Sequence, residues 1–119
     1  MNGAVVISWG ADIPGREAAG LQVFGQAVSR FEELAKQARI QSHKEYFAVT
    51  GREGGFMILE GEVDELMRLA AEPETLALNA KAAAIVSDFT VQVFGGGTDQ
   101  TVQELMGNYS GSLQELGYM

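Results

Sequence analysis

The 119-residue chain has no cysteine, one histidine and one tryptophan. Without cysteine there is no disulfide, thiol nucleophile or iron–sulfur cluster, and one histidine excludes a two-histidine metal site within a single chain. Basic residues are also scarce, with 8 Lys and Arg against 16 Asp and Glu and a formal net charge of -8. An acidic balance opposes binding along a phosphate backbone, so we expect no nucleic-acid partner.

Long apolar runs are missing as well. No stretch reaches the ~20 apolar residues that a membrane-spanning helix needs. The short apolar run from Ala4 to Trp9 lacks the basic start of a signal peptide. We therefore expect a cytoplasmic protein with no membrane partner. The composition is 46% hydrophobic, which is enough for one packed domain and too much for a disordered chain.

Hydrophobic periodicity predicts strands and helices in alternation. Runs rich in β-branched and aromatic residues predict strands at 4–9, 40–50, 56–60 and 87–94. Apolar residues spaced by three and four predict helices at 16–38, 62–71, 75–85 and 100–116. Pro73 suits the first turn of a helix, so the second long helix is expected to break at Glu72-Pro73-Glu74. The glycines from Gly95 to Gly97 predict a hinge before the last helix.

The order β-α-β-β-α-β followed by a helix predicts an α+β fold, the ferredoxin-like sandwich. Residues 1–97 form this domain, and residues 98–119 form a C-terminal helical extension that packs on the domain or on a dimer partner. Apolar residues such as Val6, Tyr46, Leu59 and Phe94 cannot all face the helices together with their sequence neighbours. The second sheet face is therefore apolar, which predicts a homodimer with its sheets packed face to face. The alternative is that the C-terminal helix alone covers this face.

Three segments resemble the dimeric α+β barrel superfamily. They are Pro14-Gly15-Arg16-Glu17 after the first strand, Gly61 to Leu66 at the start of the second helix, and Glu72-Pro73-Glu74 at its break. The resemblance covers residues 4–97, and the segment from Arg16 to Gly25 looks like small bacterial members with no known activity. It implies a face-to-face sheet dimer. The superfamily also includes cofactor-free monooxygenases, lactone isomerases and haem-degrading enzymes. Trp9 is the only tryptophan, so the tryptophan pair of some of those monooxygenases has no counterpart.

His43 is the one side chain whose ordinary titration lies near neutral pH, which suits a general base or a haem ligand. Glu45 lies two residues further along and shares its strand face. Strand geometry places the two residues about 6–7 Å apart, too far for a direct hydrogen bond without long rotamers. The alternative is a solvated histidine on an edge strand.

Three further residues complete the candidate ligand-binding set. Trp9 ends the first strand, where it either stacks on a ring-shaped ligand or plugs the end of the sheet. Tyr46 either donates a phenolic proton or is a half-buried strand residue. Gln92 either orients a ligand or forms hydrogen bonds across the dimer. The ligand-binding candidates are thus Trp9, His43, Glu45, Tyr46 and Gln92.

These residues predict binding of a small apolar or aromatic molecule between the sheet and the helices. No metal and no cofactor are expected. One alternative is a cofactor-free monooxygenase- or isomerase-type enzyme, and another is a non-catalytic structural or partner-binding dimer. The sequence leaves open whether the protein is an enzyme.

Overall fold

A computed structural model describes residues 1–119. The elements are β1 (Asn2–Trp9), α1 (Glu17–Lys36), β2 (Ser42–Phe47), β3 (Gly55–Glu62), α2 (Val63–Ala71), α3 (Pro73–Ala83), β4 (Thr90–Gly95) and α4 (Asp99–Glu115). The predicted α+β order is confirmed, and the largest boundary errors, of three residues, are at the end of the second strand and at the start of the fourth, which begins at Thr90 rather than Ser87. The second strand shows the consequence of its error most clearly. It ends at Phe47 rather than Thr50, and Val49 is 95% exposed in the loop that follows.

The four strands form one antiparallel sheet in the order β2-β3-β1-β4. β1 is flanked on both sides, as its apolar character on both faces predicts. β2 is an edge strand, as the alternative interpretation of His43 has it, but the side chain is only 18% exposed and is therefore not solvated as that interpretation expected.

The register separates the sheet into two faces. Val5 is paired with Leu59 and Val93, and these residues face the helices, where the core also contains Phe31 and Leu66. The other face, which we call the open face, carries the alternate residues of each strand. Its members include Ala4, Val6, Ser8, Lys44, Tyr46, Phe56, Ile58, Thr90, Gln92 and Phe94.

The break between α2 and α3 is stabilised by ion pairs of Glu72 as well as by the proline that follows it. Glu72 is extended there, with φ -66° and ψ 142°, and Pro73 begins α3. The Glu72 carboxylate accepts hydrogen bonds from Arg39 and from Arg30, the latter at 2.9 Å. These two guanidiniums, Arg39 first, hold the pKa of Glu72 below its ordinary value. The break is thereby attached to α1, which carries Arg30.

The open face is not covered within the chain. Tyr46, Phe56 and Phe94 remain 45%, 39% and 46% exposed. α4 packs instead at the end of β4, where Leu105 lies against Gly95. The alternative that α4 alone covers the open face is therefore wrong for the single chain. None of the helices has both the length and the apolar character that crossing a bilayer requires.

Candidate functional site

A cavity of about 280 Å³ lies between the sheet and helices α1 and α3. Of its 29 lining residues, 21 are hydrophobic. A cavity of about 150 Å³ accepts one benzene ring, and small-molecule pockets begin near 300 Å³. This space therefore suits a compound of one or two rings. Its walls include Val5, Ile7, Phe24, Ala27, Leu78 and Ala82.

Three aromatic side chains meet on the cavity wall. The Trp9 ring lies 6.2 Å from the Phe24 ring and 6.0 Å from the Phe47 ring, both edge to face, and Phe24 lies 5.0 Å from Phe47. These separations are typical of favourable aromatic pairs. Leu21 also lines the cavity and is 78% exposed, so it marks an opening beside this aromatic cluster.

Few polar side chains line the cavity, and some of them form hydrogen bonds and ion pairs within the protein. Arg30 and Thr75 form a hydrogen bond of 2.9 Å, and Arg30 also pairs with Glu74 at 2.6 Å. Asp12 and Asn79 add a carboxylate and an amide. A carboxylate and an amide in an apolar wall can orient a ligand through a hydroxyl or amine group.

His43 and Glu45 are in direct contact. His43 Nδ1 shares a hydrogen bond of 2.6 Å with Glu45 Oε1, and the two side chains are 18% and 19% exposed. The expectation that they are too far apart is wrong, because the two side chains lean toward each other along the strand. They face the helix side, where the His43 ring lies 6.2 Å from Phe31, but neither lines the cavity.

Tyr46 and Gln92 lie on the open face. Tyr46 is paired with Phe56 and stacks on its ring at 4.8 Å, and Gln92 is opposite Val6. The expectation that both line the space between the sheet and the helices is wrong, because they have the opposite strand parity to Trp9 and Glu45. Trp9 is the one candidate that lines the cavity, and its part in ligand binding stays a prediction.

The candidate set omitted most of the cavity wall. Phe47 shares the strand parity of Glu45, so its place on the helix side is predictable. Phe24 belongs to the apolar stripe that the sequence predicts for α1 and is predictable too; that stripe consists of Leu21, Phe24, Val28, Phe31 and Ala35. The position of Asp12 is not predictable in this way, because Asp12 follows β1 in a loop, where strand parity does not apply. Its position depends on an isolated bridge to Val86.

A comparison with protein-family models gives no match, and neither does a comparison with curated protein sequences. Solved structures do match. A variant of SnoaB, a cofactor-independent oxygenase from Streptomyces nogalater, is 17% identical with a TM-score of 0.63, over 82% of this chain and 94% of that chain. A dimeric protein of unknown function and ferredoxin-like fold from Bacteroides fragilis is 15% identical with a TM-score of 0.57, over 77% of this chain and 93% of that one. A dimeric ferredoxin-like protein of unknown function from Thermobifida fusca is 13% identical with a TM-score of 0.58, over 78% and 90%.

These similarities confirm the α+β ferredoxin-like fold. At identities of 17% and below they show the fold alone.

Proposed function

We propose that the protein binds a small apolar molecule of one or two rings in the cavity between the sheet and helices α1 and α3. The observation that carries this proposal is the cavity itself, about 280 Å³ with 21 of 29 lining residues hydrophobic. The aromatic cluster of Trp9, Phe24 and Phe47 offers ring edges and faces to a planar ligand. Asp12 and Asn79 offer hydrogen-bonding groups to a hydroxyl.

The side chains that line this apolar space lack packing partners on one side. A bound apolar molecule supplies those contacts, which supports a role in binding.

The test is a titration with 2-naphthol followed by nuclear magnetic resonance. Because Trp9 is the only tryptophan, its indole N–H gives a single signal that needs no further assignment. We expect this signal to shift saturably. Ala27→Leu fills part of the cavity and should weaken binding at least tenfold, whereas Ala19→Leu, on the exposed side of α1, should not. Equal affinity in the two variants would overturn the proposal.

A second candidate is cofactor-independent oxygenation or isomerisation of the bound compound. The description of SnoaB as a cofactor-independent oxygenase favours it. It ranks second because the acid–base pair, His43 and Glu45, lies outside the cavity wall. The test is mass spectrometry of the ligand recovered after aerobic incubation with the protein. A new product that Ala27→Leu fails to form supports this candidate, and an unchanged compound contradicts it.

We also propose that two copies of the chain pack through their open faces. Tyr46, Phe56 and Phe94 expose large apolar surfaces there, and the neighbours from Bacteroides fragilis and Thermobifida fusca are described as dimeric. Light scattering should give twice the 12.7 kDa chain mass. Phe56→Glu should give the monomer, whereas Leu76→Glu, an equally drastic change at an exposed site on α3, should leave the dimer intact. A monomeric unsubstituted protein at micromolar concentration would contradict the dimer.

A further inference from the structure

α4 carries an apolar stripe that its own chain leaves mostly exposed. Val102, Met106, Tyr109, Leu113 and Leu116 recur at spacings of four, three, four and three. Met106, Tyr109 and Leu116 are each about two-thirds exposed, at 64%, 68% and 67%. This spacing places the five side chains along one side of the helix, in the pattern by which a helix packs on another apolar surface.

The first turns of α4 are anchored, and this directs the rest away from the domain. The Thr101 amide donates to Thr98 Oγ1 at 3.2 Å, Thr101 is buried, and Leu105 lies against Gly95. The radius of gyration is 16.7 Å and the longest extent 53 Å. A compact chain of this length would have a radius of about 13.5 Å. Beyond Leu105 the helix is therefore a projecting arm.

The arm is not expected to be a stable helix in isolation. Gly107 and Gly111 lie on the side opposite the stripe, and a Cβ at either would meet nothing within 4 Å. Each glycine costs about 1 kcal/mol relative to alanine, and a helix of this length is marginal in water even without glycine. The apolar stripe must therefore be covered for the arm to keep its structure.

The surface area that a stable dimer buries indicates what packs on the apolar stripe of α4. Four strands of about 20 Å, spaced about 4.8 Å apart, give an open face of roughly 400 Å². A stable interface buries about 800 Å² on each partner. The part of α4 beyond Leu105, Met106 to Glu115, has a footprint of roughly 150 Å². Because each copy would both extend one arm and receive another, the two footprints and the open face together come to roughly 700 Å² per copy. Phe94, on the open face, is separated from the first residue of α4, Asp99, by only four residues, so α4 begins beside the edge of the sheet that carries the exposed apolar surface.

We infer that α4 of each chain packs by this stripe on a second copy of the chain, so that exchanged arms complete the dimer formed by the open faces. The inference rests on the proposed dimer. It assigns the C-terminal extension to the partner rather than to its own domain.

The first test uses the full chain and two double variants that add equal negative charge. Met106→Glu with Tyr109→Glu alters the stripe, and Gln103→Glu with Gln114→Glu alters the opposite side. Sedimentation should show a dimer Kd raised at least tenfold by the first pair and changed less than twofold by the second. If both pairs leave the Kd unchanged, the arm inference fails and the dimer stands. A monomeric unsubstituted chain would overturn both.

The second test separates exchange from folding back. The chain has no cysteine, so Tyr109→Cys can be labelled at one place with a benzophenone photocrosslinker. Unlabelled and ¹⁵N-labelled chains are mixed and allowed to exchange subunits before illumination. Crosslinked peptides that join one isotope to the other support the inference. Crosslinks confined to one isotope would overturn it by placing the arm on its own chain.

Discussion

His43 Nδ1 lies 2.6 Å from Glu45 Oε1 on the helix-facing side of edge strand β2. The hydrogen bond connects alternate residues of one strand, with both side chains about four-fifths buried. The hydrogen bond to the carboxylate holds the imidazole ring in one orientation on the strand. The pair packs beside Phe31 rather than in the cavity, which favours a structural role.

Removing the Glu45 carboxylate tests that role. Glu45→Ala should lower the free energy of unfolding by about 1 kcal/mol, because the largely buried imidazole loses its partner. Glu45→Gln keeps an acceptor and should lose less. Urea unfolding measures both, with Gln41→Ala, at an exposed site just before β2, as the control. Equal losses at positions 41 and 45 would show that the hydrogen bond contributes nothing.

The Glu72 ion pairs predict a pH dependence of stability. Arg39, and then Arg30, hold the pKa of Glu72 below its ordinary value of 4.5. A carboxyl whose pKa is lowered by folding stabilises the protein above its unfolded pKa, and this contribution is lost as the pH falls through the folded pKa. Glu72→Gln should therefore be less stable than the unsubstituted protein at neutral pH, and the two should converge below pH 4.5.

Urea midpoints at several pH values check this prediction. Glu32→Gln, at an exposed site on α1, is the control and should change the midpoints little at any pH. A gap between Glu72→Gln and the unsubstituted protein that stays constant from neutral pH into the acid range would contradict the assigned role of Glu72.

Gly55 makes room for the Trp9 ring. A Cβ at Gly55 would lie 2.8 Å from Trp9 Cζ2 and would also collide with the Tyr46 carbonyl oxygen. Gly55→Ala should therefore displace the indole, shift the Trp9 fluorescence maximum and destabilise the protein. Gly25→Ala is the contrast, because its Cβ would meet nothing within 4 Å and alanine favours the helix by about 1 kcal/mol. An unchanged Trp9 spectrum in Gly55→Ala would be evidence against this packing.

The sequence allowed the element order to be predicted because each element has a strong hydrophobic period. The α1 stripe was predicted less well in detail. Phe31 and Leu34 are the buried residues, whereas Leu21 is exposed at the cavity opening. A period of 3.6 identifies the side of a helix, but it does not show where a gap is left beneath it.

The candidate site also has features that residue spacing predicts and features that it does not. Strand parity alone separates Tyr46 from Glu45, and applying it throughout would have placed Tyr46 on the open face with its partner Phe56. The His43–Glu45 hydrogen bond depends on rotamers, which the spacing of two residues does not determine. The cavity depends on how far α1 and α3 stand from the sheet, and this distance follows from the packing of the whole chain.

The most direct test of the central claim is a crystal structure of the protein soaked with 2-bromonaphthalene, with anomalous data collected at the bromine edge. Binding in the cavity predicts one dominant bromine peak between the sheet and α1, within van der Waals contact of Phe24 or Ala27. No peak there, or bromine only on the open face beside Tyr46 and Phe56, would contradict it.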